Sequence, residues 1–145
     1  MKKFVRSIFT AALAVACCIS LSISALAVER ASSYISMYSA YTSAADDGKI
    51  EIHISVVANQ RVSELGASYI LLEESDDGGR TWNTAEEYEG ESWMTATNRS
   101  TYSRTLLYPG IIGHQYRVTA DVFAEDENGG DSRTTPTSPA VTAKR

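Results

Sequence analysis

Residues 28–145 contain no cysteine; Cys17 and Cys18 both fall in the first 27 positions. That absence excludes disulfides, thiolate metal sites and a cysteine nucleophile from the longer segment. Positive charge is also scarce there. Lys2, Lys3 and Arg6 stand at the start, which leaves 10 basic against 18 acidic side chains over the remaining 118 residues, a net of −8. A surface of that sign repels phosphates, so nucleic acid and an anionic membrane are excluded as partners. After residue 27 there is no apolar run of bilayer length and no ten-residue amphipathic helical pattern with caps. The two histidines, His53 and His114, sit in neither H-E-x-x-H nor another ligand spacing, and no G-x-S-x-G is present. Zinc and a nucleophile elbow therefore lack support, no cofactor is implied, and His53 reads as an outward strand residue.

What is present begins with an address. Met1–Ser7 is short and basic, Ile8–Ala27 carries no charge and ends Ala25-Leu26-Ala27, and Glu29-Arg30 follows. A basic n-region, an apolar h-region and an A-x-A site make a secretory signal peptide over residues 1–27. Acylation of Cys17 after Ala14-Val15-Ala16 is the weaker alternative, because Ile19–Ala27 stays apolar where a polar tether is wanted. The mature chain is then expected to start at Val28, to work outside the cytoplasm without stable membrane insertion, and to form one domain over residues 28–145.

That domain reads as strands. Lys49–Val57 sets Ile50, Ile52, Ile54 and Val56 against Glu51, His53 and Ser55, and Gln115–Ala124 sets Tyr116, Val118, Ala120, Val122 and Ala124 against Gln115, Arg117, Thr119 and Asp121. A period of two is a half-buried strand. Ser33–Thr42, Tyr69–Glu74, Ser100–Leu107 and Thr137–Ala143 are further strands by β-branched and aromatic content. Gly90–Thr97, which holds Trp93, shows no strand pattern. Short strands separated by Gly- and Asp-rich turns predict an all-β antiparallel sandwich.

Two motifs sharpen the reading. Leu107-Tyr108-Pro109-Gly110, Tyr116-Arg117-Val118 and Asn128-Gly129-Gly130 resemble the second half of a fibronectin type III domain, an immunoglobulin-like sandwich. The resemblance implies that Tyr116 is a tyrosine corner, with its hydroxyl bonded back to nearby backbone. The chain, from Glu29-Arg30-Ala31-Ser32 onward, also resembles a family of small secreted bacterial proteins that brings no function with it. The second motif, Ser75, Asp77, Gly79, Thr81 and Trp82, matches the Asp-box S-x-D-x-G-x-T-W. Asp accepts turn N–H groups, Gly supplies positive φ, and Trp folds over the hairpin base. Sialidase-like propellers carry several such boxes away from their catalytic centre, so one copy reads as a hairpin staple.

Functional chemistry is thin by comparison. Eighteen acids always supply a carboxylate pair, so a glycosidase gains no support from having one. Asp126, Asn128 and Asp131 make an oxygen-rich turn, but their spacing fails the EF-hand pattern, and a solvated hairpin tip is the simpler account. Aromatics remain: Trp93, with Tyr88 and Tyr102 near it, is the candidate contact for an extracellular protein or a carbohydrate. The expected function is a non-catalytic binding or surface-interaction module. A small secreted glycan hydrolase and a secreted enzyme inhibitor are the alternatives, and oligomeric state is left open.

Overall fold

The alternation that starts at Lys49 continues far past Val57. The structure, a computed structural model describing residues 33–145, has a single 27-residue strand, β2 (Lys49–Ser75), where the sequence pattern gives two short ones. The pattern breaks because β2 changes which parity faces the core. Ile50, Ile52, Ile54, Val56, Ala58 and Val62 are buried, then Leu65 and Ala67, then Ile70 and Leu72. Each change of parity needs an irregularity. The pairing register shifts between Val57 and Val62, and again between Ala67 and Tyr69. The signal peptide and its Cys17 alternative lie outside the described residues.

Four strands share β2. β1 (Ile35–Ala44) and β4 (Thr95–Pro109) flank its first half, and β3 (Asn83–Glu89) and β5 (Gln115–Asp126) flank its second. β4 and β5 both reach Glu64–Gly66 from opposite sides. It follows that β3 and β4 run in succession along one edge of β2, while β1 and β5 run along the other. β6 (Gly129–Thr134) and β7 (Val141–Thr142) pair with β5 and complete an antiparallel seven-stranded sheet. The sheet curls into a half-barrel, so its two halves face each other across one core.

The β1–β5 side is laced shut. Thr42 Oγ1 donates to the Tyr116 carbonyl at 3.3 Å, the Tyr34 hydroxyl to Asp126 at 3.1 Å, and the Tyr34 N–H to Asp131 at 3.0 Å. The core between the halves contains Ile50, Ile52, Ile54, Leu65, Ile70, Leu72, Tyr116 and Val118, all 1% exposed or less. Each such aliphatic side chain contributes about 1.5–3 kcal/mol relative to exposure. On the β3–β4 side neither strand has a partner beyond β2 among the described residues.

Other local expectations shift by a few residues. β3 was not marked by alternation, because it exposes glutamates on both faces, at Glu86, Glu87 and Glu89. The segment Gly90–Thr97 is irregular only as far as Met94, with a single 3-10 turn at Ser92–Met94 before β4 begins. Pro136 and Pro139 leave just Val141–Thr142 of the last expected strand. Among the described residues no helix is long and apolar enough to cross a membrane.

Candidate functional site

Two turns on the β3 side each carry a tryptophan. The β2–β3 turn is the Asp-box. Asp77 Oδ1 accepts the N–H groups of Arg80 and Thr81, both at 2.9 Å, and the Ser75 hydroxyl at 2.8 Å; its Oδ2 accepts the Thr81 hydroxyl at 2.6 Å. Ser75 Oγ in turn accepts the Gly79 N–H at 2.8 Å. Gly78 and Gly79 hold φ of 78° and 87°, a conformation that L side chains rarely adopt. The Thr81 hydroxyl, the leading cause, and the other donors hold the Asp77 carboxyl down at about 2.

Trp82 folds back over this turn. Its indole N–H donates to the Gly79 carbonyl at 3.2 Å, and the Arg117 guanidinium lies 4.1 Å from the ring centroid. Arg117 is itself fixed by Glu73, with Nε to Oε2 at 2.8 Å and Nη2 to Oε1 at 3.1 Å. The polar groups of this hairpin therefore bond mostly to one another.

The β3–β4 turn is built differently. Gly66 of β2 passes beneath it so closely that a Cβ at that position would stand 2.1 Å from the Met94 carbonyl oxygen. Met94 is buried below the turn, and Trp93 packs half-buried against the core. The Tyr88 ring meets Trp93 edge-on, with centroids 5.5 Å apart at 74°, and the Arg104 guanidinium stands 5.6 Å over the indole. Tyr102 also belongs to this cluster, but as its support. It is 6% exposed, and its hydroxyl donates to the Trp93 carbonyl at 3.1 Å, so little of the ring is offered to a ligand. An open groove of about 430 Å³ runs along the same turn, lined by residues that include Glu89, Gly90, Glu91, Ser92 and Thr95.

The other named residues lie elsewhere. Tyr116 is fully buried at the start of β5, where its hydroxyl accepts the Ile111 N–H at 2.8 Å, and burial pushes the phenol up to about 12. His114 pairs through Nδ1 with Glu74, which ties the loop before β5 to the end of β2. At the β5–β6 tip, Asp126 accepts the Asn128 N–H at 2.8 Å as well as the Tyr34 hydroxyl, and Asp131 accepts the Tyr34 N–H. These oxygens staple the hairpin to β1. Among the described residues no three His, Cys, Asp or Glu side chains converge as metal ligands.

One cluster had no local signature. His53 stacks on Tyr41 from β1, with centroids 4.6 Å apart at 18°, and its Nδ1 lies 3.1 Å from Thr105 Oγ1 of β4. The partners are 12 and 52 residues away in sequence, so only the outward direction of His53 was readable from the alternation. No protein-family model matches this chain, and no curated protein matches it either.

Proposed function

We propose that the mature chain is a secreted, non-catalytic binding module with a fibronectin type III-like sandwich, and that it contacts an extracellular protein or a carbohydrate through Trp93 and Tyr88. The observation that carries the reading is the Trp93 turn. A partly buried indole stands between a tyrosine edge and a guanidinium, beside an open groove, on the side of the sheet where, among the described residues, the strands have no outer partners. Aromatic and arginine side chains so grouped are the residues that dominate interface energetics. In this reading Tyr102 positions the Trp93 backbone and does not touch the ligand. The buried Tyr116, with its hydroxyl on upstream backbone, favours the fibronectin-like assignment.

The test is a glycan array together with affinity capture from the extracellular medium, each run with the wild-type protein and with Trp93→Ala. A defined ligand lost in the variant, with the melting temperature kept within a few degrees, supports the module. A ligand bound equally by both proteins overturns the assignment of Trp93. Intact mass of the exported protein addresses the address: a chain starting at Val28 is expected, and retention of Met1 or a lipid on Cys17 would contradict it.

A further inference from the structure

The outer face of β1, β2 and β4 holds a cluster that the binding reading does not use. Strand register puts Tyr41, His53 and Thr105 in one row across the three strands, and Ser43, Glu51 and Leu107 in the next. Within these rows three donor atoms converge. Ser43 Oγ lies 2.9 Å from His53 Nε2 and 2.9 Å from Glu51 Oε2, and Nε2 and Oε2 are 3.3 Å apart. A late first-row dication binds imidazole nitrogen and carboxylate oxygen at about 2.0–2.2 Å. At that bond length, neighbouring donors in an octahedral or tetrahedral shell stand roughly 2.9–3.5 Å apart. The triangle already has those edges.

The imidazole is also held as a ligating histidine is held. Nδ1 faces the Thr105 hydroxyl at 3.1 Å, and the Tyr41 ring stacks on the imidazole plane at 4.6 Å. A bound cation would select the tautomer that gives its Nδ1 proton to Thr105 and turns the Nε2 lone pair into the triangle, the outer-partner arrangement that orients metal-bound histidines. His53 and Glu51 side chains are 24% and 39% exposed, so an ion can enter from solvent and keep water on its open positions. In the metal-free chain protons fill the same space: the Ser43 hydroxyl donates to Glu51, and the tautomer protonated on Nε2 donates to Ser43 Oγ.

We propose that Glu51, His53 and Ser43 form an exchangeable surface site for a late transition dication, Zn²⁺ or Cu²⁺, independent of the Trp93 reading. The nitrogen donor favours these ions over Ca²⁺ and Mg²⁺, which take oxygen shells. Glu51 supplies the charge and His53 the selectivity; Ser43 completes the face with a neutral oxygen.

The experiment uses tag-free full-length protein carrying Cys17→Ser and Cys18→Ser, so that no thiolate competes. Zn²⁺ is titrated calorimetrically, and Cu²⁺ is followed by electron paramagnetic resonance. One ion per chain and hyperfine coupling to a single imidazole nitrogen are expected. His53→Gln should weaken binding at least tenfold, Glu51→Gln several-fold and Thr105→Val about tenfold, the size of effect that outer partners have. His114→Gln should leave affinity unchanged. All four positions are at least partly exposed, and circular dichroism checks that each variant is folded. No saturable binding to the wild-type protein, equal affinity in His53→Gln, or loss on His114→Gln would each overturn the site.

Discussion

The two tryptophan turns lie on one side of the same long strand, yet the chain anchors them in opposite ways. The Trp82 turn is closed by its own hairpin: the indole N–H bonds to Gly79 three residues back, and Asp77 binds the turn. From outside the hairpin, the Arg117 guanidinium is added over the ring. Trp93 is held by distant chain: Gly66 beneath, Tyr102 on its carbonyl, and Tyr88 and Arg104 against its ring. A locally bonded turn satisfies its polar groups and directs them inward. A turn seated by tertiary contacts leaves part of its side chain free to meet something else. The proposed function rests on that difference, with Trp82 as a structural indole and Trp93 as the contact, although both sit in short irregular segments.

The comparison breaks most severely at Gly66. A methyl group there would stand 2.1 Å from the Met94 oxygen, and 2.8 Å from the Thr95 Cα. Both obstacles are backbone and cannot rotate away, so Gly66→Ala must separate β2 from the Trp93 turn. A loss of more than about 3 kcal/mol is expected in urea unfolding, beyond ordinary overpacking. The Asp-box turn has no such close crossing; at Gly78 a Cβ would meet nothing within 4 Å, and only the positive φ opposes it. Gly78→Ala should therefore cost about 1 kcal/mol.

Trp82→Ala comes next, with an expected loss of about 1–3 kcal/mol from packing, the indole hydrogen bond and the Arg117 contact. Ligand affinity of the folded fraction should not change. Trp93→Ala should show the reverse emphasis: a small stability change, and a binding loss of about 1–3 kcal/mol. Fluorescence in a Trp82→Phe background isolates Trp93. Emission at a solvent-exposed wavelength with ready acrylamide quenching is expected; blue emission that resists quenching would make Trp93 a core residue and remove it as a contact.

These contrasts also show what a sequence can carry. The inward faces of Ile50–Val56 and Tyr116–Ala124 were legible because one uninterrupted parity repeats over several residues. The continuity of β2 was not, because the pairing is interrupted at Val57–Val62 and Ala67–Tyr69, and the buried parity changes after Val62 and again after Ala67, which makes one strand look like two. The Asp-box was legible for the same local reason: its donors and acceptor lie within four residues of one another. Tyr88, Trp93 and Tyr102 were named as neighbours, but their burial was not readable. Tyr102 pairs with Val56, 46 positions earlier, and that register turns its ring toward the core. The His53 row was invisible for a similar reason, since Tyr41 and Thr105 reach it only through pairing on both sides of β2.

The smallest effect is a matter of acid. The hydrogen bonds that Asp77 accepts hold the Asp-box turn closed, and they lower its carboxyl from the ordinary 3.8 to about 2. A depressed carboxyl favours the folded state in full only while it is ionised in both states. Its contribution is therefore complete above about pH 4, and it fades as the pH falls through 4 and toward 2, where the folded carboxyl finally takes its proton. The two tyrosines that hold Trp93, Tyr88 and Tyr102, are pushed the other way, upward by burial, and do not titrate in this range. Acid should loosen the two turns in sequence. Amide exchange at Arg80 and Thr81 is expected to accelerate between pH 4 and 2, beyond the intrinsic trend, before amides at Met94 and Thr95 respond. Asp77→Asn should abolish the acceleration and lower the melting temperature at neutral pH, because an amide oxygen accepts the same N–H groups without a charge. If protection at Arg80 and Thr81 stayed flat down to pH 2 in the wild-type protein, the carboxylate would not be what closes the hairpin, and the contrast between a self-bonded turn and a docked one would lose its basis.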